Sequence, residues 1–510
     1  MTDFAPNRSP SGEPAAALEE HLAQASATGT FLPLIAQVRQ ALADSPDQEA
    51  LRLALARTLF AAGDMVAAQA EADWVTRFAM DWSRRAAAWE ISIAAAPHIP
   101  DIDVLDLRGL SQRWSGHLMA RRLGQEVPPP APRARGWPLR VGYLLTESPA
   151  DAAFLPPDAH DTTRITARTY WLGTSPAPGA GFIDLGGLTA SAAAARMRQD
   201  DLDLLVDLSC AGTPVADMLS MLRPARIQIG FANRLLPDYD GGHDWVLGDA
   251  LLFGGEDYAA GEGAQRYGMP GPAILFATPA GEGPAPPPVA RNGYLTLAAL
   301  PDASRIDTAS TALWARMLAQ MPDARFLVTG ERFSDLIADR ILGAFSHAGI
   351  DTHRITLAAG GTRGSALARA DLVVDGLTGS SEADTLALCR SGVPVVAACG
   401  DRLSQRRSAS VLTAIGHDEL VVEDDRKDGQ ALLRTVLGLA ANPERLARYR
   451  TILPSAVDRA GLADPARAVA LIEEALGTIW RRATQSGPST QNPGTQNAGN
   501  PSPNNQGHGS

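Results

Sequence analysis

An alternation of short apolar runs with helical stretches, which begins near Leu139 and continues towards residue 480, most constrains what this chain can fold into. Runs rich in branched and aromatic residues predict buried strands. These are Leu139–Leu145, Asp201–Leu208, Ile227–Phe231, Tyr294–Leu300, Arg325–Thr329, Arg354–Leu357, Leu372–Asp375 and Val393–Ala397. Helical patterns such as Thr189–Gln199 and Pro214–Leu222 lie between them. Strands that alternate with helices form βαβ units, so the predicted fold class is α/β with parallel sheets.

Stretches rich in Pro, Gly and Ser divide the 510 residues into units. Two such stretches, 127–138 and 279–290, interrupt the periodic pattern and are interpreted as linkers. They delimit a first doubly wound domain at 139–278 and a second at 291–484. Residues 1–14 and 485–510 have few apolar side chains, and we expect disorder at both ends. Ligands of such sheets bind beyond the carboxyl ends of the strands, where we look for a site.

Residues 15–126 follow a helical pattern, with Ala and Leu three or four positions apart. A turn at Gly63–Asp64 separates two predicted helices of this segment. Their apolar positions are Leu55, Ala56 and Leu59 before the turn and Ala68, Ala72 and Val75 after it. Small residues at this spacing are typical of a tetratricopeptide repeat, on which the helices at Leu32–Ala43 and Trp82–Ala95 would stack. An ordinary helical cap is the alternative.

Charge and composition exclude several functions. The formal net charge of -12 argues against a general nucleic-acid binder, which needs a basic surface. The sequence shows neither a leader-like start nor an apolar run long enough to span a bilayer, so we expect a cytoplasmic protein. Cys210, Cys389 and Cys399 have no disulfide or zinc spacing and are interpreted as small apolar core residues.

Five motifs carry a resemblance to a known family. They are RPARIQ (223–228), HDWVLGD (243–249), RIDTASTALWARML (305–318), ADLVVDG (370–376) and SGVPVVAACGDRLSQRRSASVLTAIGHDELV (391–421). In this order and spacing they resemble a divergent bacterial member of the O-linked N-acetylglucosamine transferase (SPINDLY-type) family, from about Leu139 to Trp480. The resemblance implies a GT-B type pair of Rossmann-like domains behind a tetratricopeptide-like arm.

The same resemblance implies an activity. It is an inverting transfer of N-acetylglucosamine, or a similar sugar, from a UDP-sugar to Ser or Thr hydroxyls of a protein acceptor that the helical arm presents. The UDP-sugar is a substrate, and the resemblance implies no metal and no cofactor. Fixed hydrogen-bond donors at the departing diphosphate would supply most of the catalysis.

The resemblance places the donor phosphates at two points of the sequence. Arg305 occupies the position of the family's phosphate-binding lysine, which keeps the charge but presents a planar fork. The turn that begins at Asp375 runs into a helix predicted over Thr385–Ser391, and Thr378, Ser380 and Ser381 would add hydroxyl donors at that helix start.

This turn also departs from the family pattern. The family's His-Thr-Thr trio falls on Glu382, Ala383 and Asp384, and its ribose-binding Asp falls on Ala387, so two carboxylates would face the diphosphate. The pattern Ser381-x-x-Asp384 is moreover that of a capping box, in which the helix would satisfy its own N–H groups.

Residues of the predicted cleft outside this turn are less well matched. Asn233 begins a loop, Asn233–Pro237, that lacks the glycines of the family's Gly-Tyr-Pro-Gly-Thr loop, and Gly181 replaces an active-site histidine. Arg406 matches the family's arginine before a helix, where it would order the cleft or contact the acceptor. His243 and His417 lie in matched segments, but a lone histidine is more often structural, so the general base is unknown.

Alternatives remain open at this point. Asp201 with Asp203, and Asp238 with Asp240, have the Asp-x-Asp pattern of metal-assisted sugar transfer, although pairs of this kind are common by chance. The missing histidines and the acidic turn are also compatible with a catalytically inactive GT-B-fold protein-interaction scaffold. An enzyme acting on small molecules or glycans is disfavoured by the arm.

Overall fold

The computed structural model describes most of the chain between residues 13 and 485. The described residues are 13–100, 102–122, 136–146, 153–154, 157–173, 177, 181–209, 214–231, 242–254, 264–272, 276–277, 286–300, 306–330, 332–360, 367–379, 381–423 and 429–485. The predicted terminal segments 1–12 and 486–510, and the predicted linker residues 127–135 and 279–285, lie outside these ranges.

Six helices of the described ranges form the arm. They are α1 (Glu13–Thr28), α2 (Leu32–Asp44), α3 (Glu49–Ala62), α4 (Met65–Phe78), α5 (Trp82–Ala95) and α6 (Val104–Arg122). Helix α3 ends at Gly63, whose φ of 92° suits glycine, and the Asp64 carboxylate caps α4 by accepting from the Ala67 N–H. Ala56 and Ala68 are fully buried, which lets α3 and α4 pack closely. The turn at Gly63–Asp64 lies where the small-residue pattern predicts it.

The first lobe is built on a parallel sheet in the order β4-β3-β1-β5-β6-β7-β8. Its strands are β1 (Leu139–Leu145), β3 (Ile165–Trp171), β4 (Phe182–Asp184), β5 (Leu204–Asp207), β6 (Ile227–Phe231), β7 (Trp245–Asp249) and β8 (Gln265–Met269). Strands β2 (Ala153–Phe154) and β9 (Phe276–Ala277) form a short antiparallel pair. Helices α7 (Ala190–Arg198) and α8 (Pro214–Met221) connect strands of the larger sheet.

The second lobe has a parallel sheet in the order β12-β11-β10-β13-β14-β15. Its strands are β10 (Thr296–Ala299), β11 (Arg325–Gly330), β12 (Ile355–Ala359), β13 (Leu372–Val374), β14 (Val395–Cys399) and β15 (Val421–Glu423). Its helices are α9 (Val289–Asn292), α10 (Thr308–Ala319), α11 (Asp335–His347), α12 (Glu382–Arg390), α13 (Arg407–Ala414), α14 (Gln430–Ala440) and α15 (Pro443–Ala460). The two parallel sheets and the N-terminal helices confirm the predicted α/β fold class.

The last described helix, α16 (Pro465–Gln485), leaves the second lobe and packs on the first. Its apolar side chains, among them Ile472, Leu476 and Ile479, join the core of β1 and β5. Among the described helices, none combines the length and the apolar composition that crossing a bilayer requires.

The arm contacts both lobes. Its N-terminal part lies on α11, where the Asp335 carboxylate accepts from the main-chain N–H groups of Phe31 (2.9 Å) and Leu32 (3.1 Å). Its C-terminal part joins the core of the first lobe, and the indole N–H of Trp114 donates to Asp217 at 3.0 Å. These contacts fix the arm on both lobes.

Candidate functional site

Two strand ends of the second lobe meet at the turn that sequence analysis selects. Strands β10 and β13 are parallel neighbours, so the turn after Val374 and the start of α10 lie at the same edge of the sheet. Asp375, directly after β13, is buried, and its Oδ1 accepts from the Gly376 N–H at 2.9 Å. We call residues Asp375 to Ser381 the donor turn; Ser380 within it lies outside the described residues.

The hydroxyl of Thr378 contacts the cap of α10. Thr378 Oγ1 donates to Asp307 Oδ2 at 3.2 Å, and that carboxylate also accepts from the N–H (2.7 Å) and the hydroxyl (2.6 Å) of Ser310. The Leu377 N–H in turn donates to Ser310 Oγ at 3.3 Å. The start of α10 and the donor turn are therefore joined through buried polar groups.

Ser381 is the N-cap of α12. Its hydroxyl accepts from the Asp384 N–H at 3.3 Å, as the capping pattern predicts. The helix begins at Glu382 and not at Thr385, so the prediction of its start was wrong by one turn; the cap places both carboxylates, Glu382 and Asp384, inside the first turn. Acidic side chains at that end are stabilised by the helix dipole.

The Glu382 carboxylate has a cationic partner. Arg407, at the start of α13, lies 2.5 Å from Glu382 Oε2, and both side chains are largely buried. Of the two carboxylates that the sequence analysis expects to face a diphosphate, that of Glu382 thus has a cationic partner within the protein. Neither Arg407 nor Asp307 was selected from the sequence, although Asp307-x-x-Ser310 has the pattern of a helix cap.

Arg406 lies between the lobes. Its Nε donates to the Leu251 carbonyl of the first lobe at 2.7 Å, and its Nη1 donates to the Gly400 carbonyl of the second at 2.5 Å. Of the two roles open for it, ordering the cleft agrees with these contacts.

Arg305 and Asn233 lie outside the described residues, as does Ser380. The carbonyl of Ile306, the residue that follows Arg305, accepts from Arg340 Nη1 at 2.8 Å. Ile306, which follows Arg305 in the sequence, is therefore buried and hydrogen-bonded through its carbonyl. The described residues that the structure brings together at this edge are Asp375, Thr378 and Ser381.

A buried Ser, His and Asp group in the first lobe was not predicted as a unit. His243 Nε2 lies 3.0 Å from Asp207 Oδ2 and 3.4 Å from Ser220 Oγ. A catalytic relay needs the carboxylate and the hydroxyl on different ring nitrogens, whereas here one nitrogen meets both. The three side chains are almost fully buried, which indicates a structural role.

Other candidate side chains from the sequence, His417 and the first Asp-x-Asp pair, also have local partners. His417 Nδ1 lies 3.0 Å from Glu419 Oε1. Asp201 pairs with Arg140 and Arg226, both at 2.6 Å. Asp203 accepts from the main-chain N–H of Arg140. Asp238 and Asp240 lie outside the described residues. Within the described ranges, no group of His, Cys, Asp or Glu side chains could hold a metal ion.

Two of the cysteines fall in described positions, both in the second lobe. Cys389 is fully buried, and burial raises the pKa of its thiol to about 12. Cys399 is half-buried at the end of β14, and Cys210 lies outside the described residues.

Comparisons with known proteins bear on the resemblance. No protein-family model matches the chain. It is 24% identical over 312 residues to a probable UDP-N-acetylglucosamine–peptide N-acetylglucosaminyltransferase SPINDLY of Solanum lycopersicum, covering 59% of this chain and 32% of the relative. The protein with the same name in Arabidopsis thaliana is 25% identical over 313 residues, covering 59% and 33%. The predicted resemblance is confirmed. The chain spans about a third of the length of these relatives.

A solved structure extends the likeness to the whole architecture. A mutant of the O-GlcNAc transferase of Thermobaculum terrenum matches with a TM-score of 0.76 and 22% sequence identity, over 92% of each chain. The match shows that the chain has the fold of this transferase over the arm and both lobes.

Proposed function

We propose that the chain is a UDP-sugar-dependent glycosyltransferase that transfers N-acetylglucosamine, or a similar sugar, to Ser or Thr hydroxyls of a protein. Transfer would proceed with inversion and without a metal or cofactor. The observation that carries the proposal is that the cap of α10 is hydrogen-bonded to the donor turn, which leads into α12, at the carboxyl edge of the second sheet. Helix starts carry partial positive charge, and the guanidinium of Arg305, three positions before the first residue of α10, would add a full one, which suits a departing diphosphate.

The pairing of Glu382 with Arg407 supports this proposal. An uncompensated carboxylate in the first turn of α12 would repel a diphosphate, and the repulsion would be strong in a partly buried site. The guanidinium at 2.5 Å compensates the charge of Glu382. This acidic residue is therefore compatible with anion binding next to it.

The acceptor is proposed to be a protein that contacts the arm. Phe78, Met80 and Trp82 occupy alternate positions where α4 passes into α5, and their exposed fractions are 59%, 90% and 46%. Exposed apolar side chains of this size, close together in the chain, are typical of protein-contact surfaces.

The general base of the transfer is not assigned. His160 and His243 are buried and engaged with carboxylates, so neither is given this role.

One observation favours a second candidate, an inactive interaction scaffold. The hydroxyls of Thr378 and Ser381 are both engaged within the protein, by Asp307 and by the cap of α12. If the donor turn satisfies its own polar groups, no nucleotide binds, and the arm alone carries the function.

Calorimetric titration separates the two candidates. UDP, UDP-N-acetylglucosamine and other UDP-sugars are titrated into the full chain, into Arg305→Ala and into a control, Arg448→Ala, whose side chain is exposed on α15. We expect micromolar binding that Arg305→Ala weakens by about tenfold or more, because a charge-assisted contact to phosphate is lost, and that the control leaves unchanged. Absence of binding by every nucleotide to the unaltered chain would reject the transferase and support the scaffold.

A further inference from the structure

The segment Arg402–Ser410, between β14 and the middle of α13, contacts the donor turn on one side and the first lobe on the other. We call it the coupling segment. It consists of a short 3-10 turn, Leu403–Gln405, followed by the first residues of α13. It is thus a single stretch of chain through which the first lobe can act on the candidate site.

Towards the donor turn, the coupling segment supplies side chains that hold main-chain groups. Ser404 Oγ donates to the Thr378 carbonyl at 3.2 Å, and Gln405 Nε2 donates to the Leu377 carbonyl at 2.7 Å. Ser408 Oγ accepts from the Ser381 N–H at 3.3 Å. These contacts fix the middle and the end of the turn.

The same segment also holds the start of α12. The hydroxyl of Thr385 donates to Ser408 Oγ at 2.9 Å, and Arg407 pairs with Glu382. Ser408 and Thr385 are fully buried. Buried polar groups are costly to separate, so α12 and the coupling segment must move together.

Towards the first lobe, other residues of the coupling segment make a second set of contacts. Ser410 Oγ donates to Asp249 Oδ2 at 2.6 Å, and Arg406 donates to the Leu251 carbonyl. Leu403 packs in an apolar cluster with Val246 and Leu252 of the first lobe.

Asp249 is itself held rigidly. It is the last residue of β7, and its Oδ1 accepts from the N–H groups of Leu251 and Leu252 at 2.8 and 2.9 Å. The Asp249 and Ser410 side chains are both almost completely buried. A short hydrogen bond to a buried carboxylate is among the strongest that a protein makes.

We propose that Asp249 and Ser410 are positioning residues of the donor turn, which act from the first lobe through the coupling segment. Loss of their hydrogen bond would release α13, and with it the side chains of Ser404, Gln405 and Ser408 that hold the turn. The proposal rests on the proposed function only where nucleotide binding is the readout.

Hydrogen exchange of the full chain, followed by mass spectrometry, tests the coupling without a ligand. We expect Ser410→Ala to speed exchange in 377–379 and 381–386 by about tenfold, since one buried charge-assisted hydrogen bond is lost. Exchange in the arm and in α16 is expected to stay unchanged. The matched control is Ser455→Ala, which removes an exposed hydroxyl of α15 bonded only within its own helix.

Two results would overturn the proposal. One is unchanged exchange in the donor turn of Ser410→Ala. The other is equally faster exchange throughout the chain, which would show a general loss of stability and not positioning. If Ser410→Ala does not fold, Ser410→Cys serves instead, because a thiol is close in size to the hydroxyl but donates only a weak hydrogen bond to Asp249; the same regional pattern is expected.

Kinetics provides the readout that depends on the proposed function. In Ser410→Ala we expect KM for the UDP-sugar to rise about tenfold while kcat changes little, because the turn is misplaced in the free enzyme and recovers when the substrate is bound. A chain that binds no nucleotide would reject the proposed function alone. The exchange experiment would still decide the coupling.

Discussion

The Glu473 carboxylate, on α16, is buried and contacts several hydrogen-bonding groups of the first lobe. It lies 3.2 Å from His160 Nδ1 and accepts from the Asp161 N–H at 2.9 Å and from Arg164 at 3.0 Å. His160 Nε2 lies 2.9 Å from the Tyr143 hydroxyl. Burial lowers the pKa of His160 below its usual 6.5, although Glu473 partly opposes this shift.

This histidine predicts a loss of stability in mild acid. The folded state binds the proton less readily than the unfolded state, so the stability present above pH about 6.5 falls as the pH drops towards the lower folded pKa. We expect the denaturation midpoint to decrease between pH 7 and 5, and His160→Gln to have a flatter profile over this interval. Equal slopes for the two proteins in urea titrations would contradict the assignment to His160.

The pairing of Glu382 with Arg407 gives a second prediction at this scale. Arg407→Met leaves the Glu382 carboxylate uncompensated beside the donor turn, so we expect UDP affinity to fall by about tenfold. The double variant Glu382→Gln with Arg407→Met removes both charges and is expected to regain most of the affinity. Calorimetry measures the UDP affinity of the unaltered chain, of Arg407→Met and of the double variant. A double variant that binds UDP as weakly as Arg407→Met would contradict the electrostatic explanation.

At the scale of the element, helix α12 depends on the Ser381 cap. Ser381→Ala removes the acceptor for the Asp384 N–H, and we expect a loss of about 1 kcal/mol in the free energy of unfolding. Ser381→Asp retains a capping oxygen and is expected to remain near the unaltered value. Urea denaturation compares the two with Ser455→Ala; a loss in the Asp variant equal to that of the Ala variant would exclude capping as the cause.

Most of the strands that the sequence predicts are buried on both faces, but the edge strand β12, which is exposed or half-buried, was also predicted, and the buried strand β7 was not. Val141, Leu204 and Val396 are fully buried, and runs of such residues need no partner to be recognised. Strand β8, at the edge of the first sheet, begins with the consecutive residues Gln265, Arg266 and Tyr267, is little buried and shows no apolar pattern. Strand β3 has exposed Thr166 and Arg168 in its first half and only its end is a buried aromatic run, so its apolar pattern is short.

At the scale of the whole molecule, the arm is anchored on the second lobe by main-chain groups. Asp335 holds Phe31 and Leu32, and its own N–H donates to the Gly29 carbonyl at 2.8 Å. Gly29 has a φ of +78°, and a Cβ there would lie 2.8 Å from the Phe333 carbonyl oxygen. Only glycine fits this turn without displacing the lobe.

Asp335→Ala should therefore loosen the arm. We expect α1 and α2 to become more susceptible to limited proteolysis by about tenfold, because the Phe31 and Leu32 N–H groups lose their acceptor, while the sheets stay protected. The control Asp339→Ala changes an exposed carboxylate of the same helix. Equal cleavage of the two variants would contradict the anchoring role of Asp335.

The sequence predicts the architecture of this molecule better than its site. Periodicity and linker composition predict two parallel sheets and a helical arm, since each signal is local. The site depends on pairs far apart in the chain, such as Thr378 with Asp307 and Ser410 with Asp249. No local pattern reveals which hydroxyl a distant carboxylate holds. The roles of all the predicted site residues stay predictions that mutation must test: Arg305, Thr378, Ser380, Ser381, Asp375, Arg406 and Asn233.

The return of α16 to the first lobe has a consequence for biosynthesis. Its side chains cover the face of β1 and β5, and these strands leave the ribosome long before the helix that covers them is made. Until translation reaches Ile472, the nascent first lobe carries an open apolar face of its sheet. We expect ribosome-bound intermediates that end before residue 465 to recruit chaperones, and release of those chaperones to coincide with emergence of the last helix.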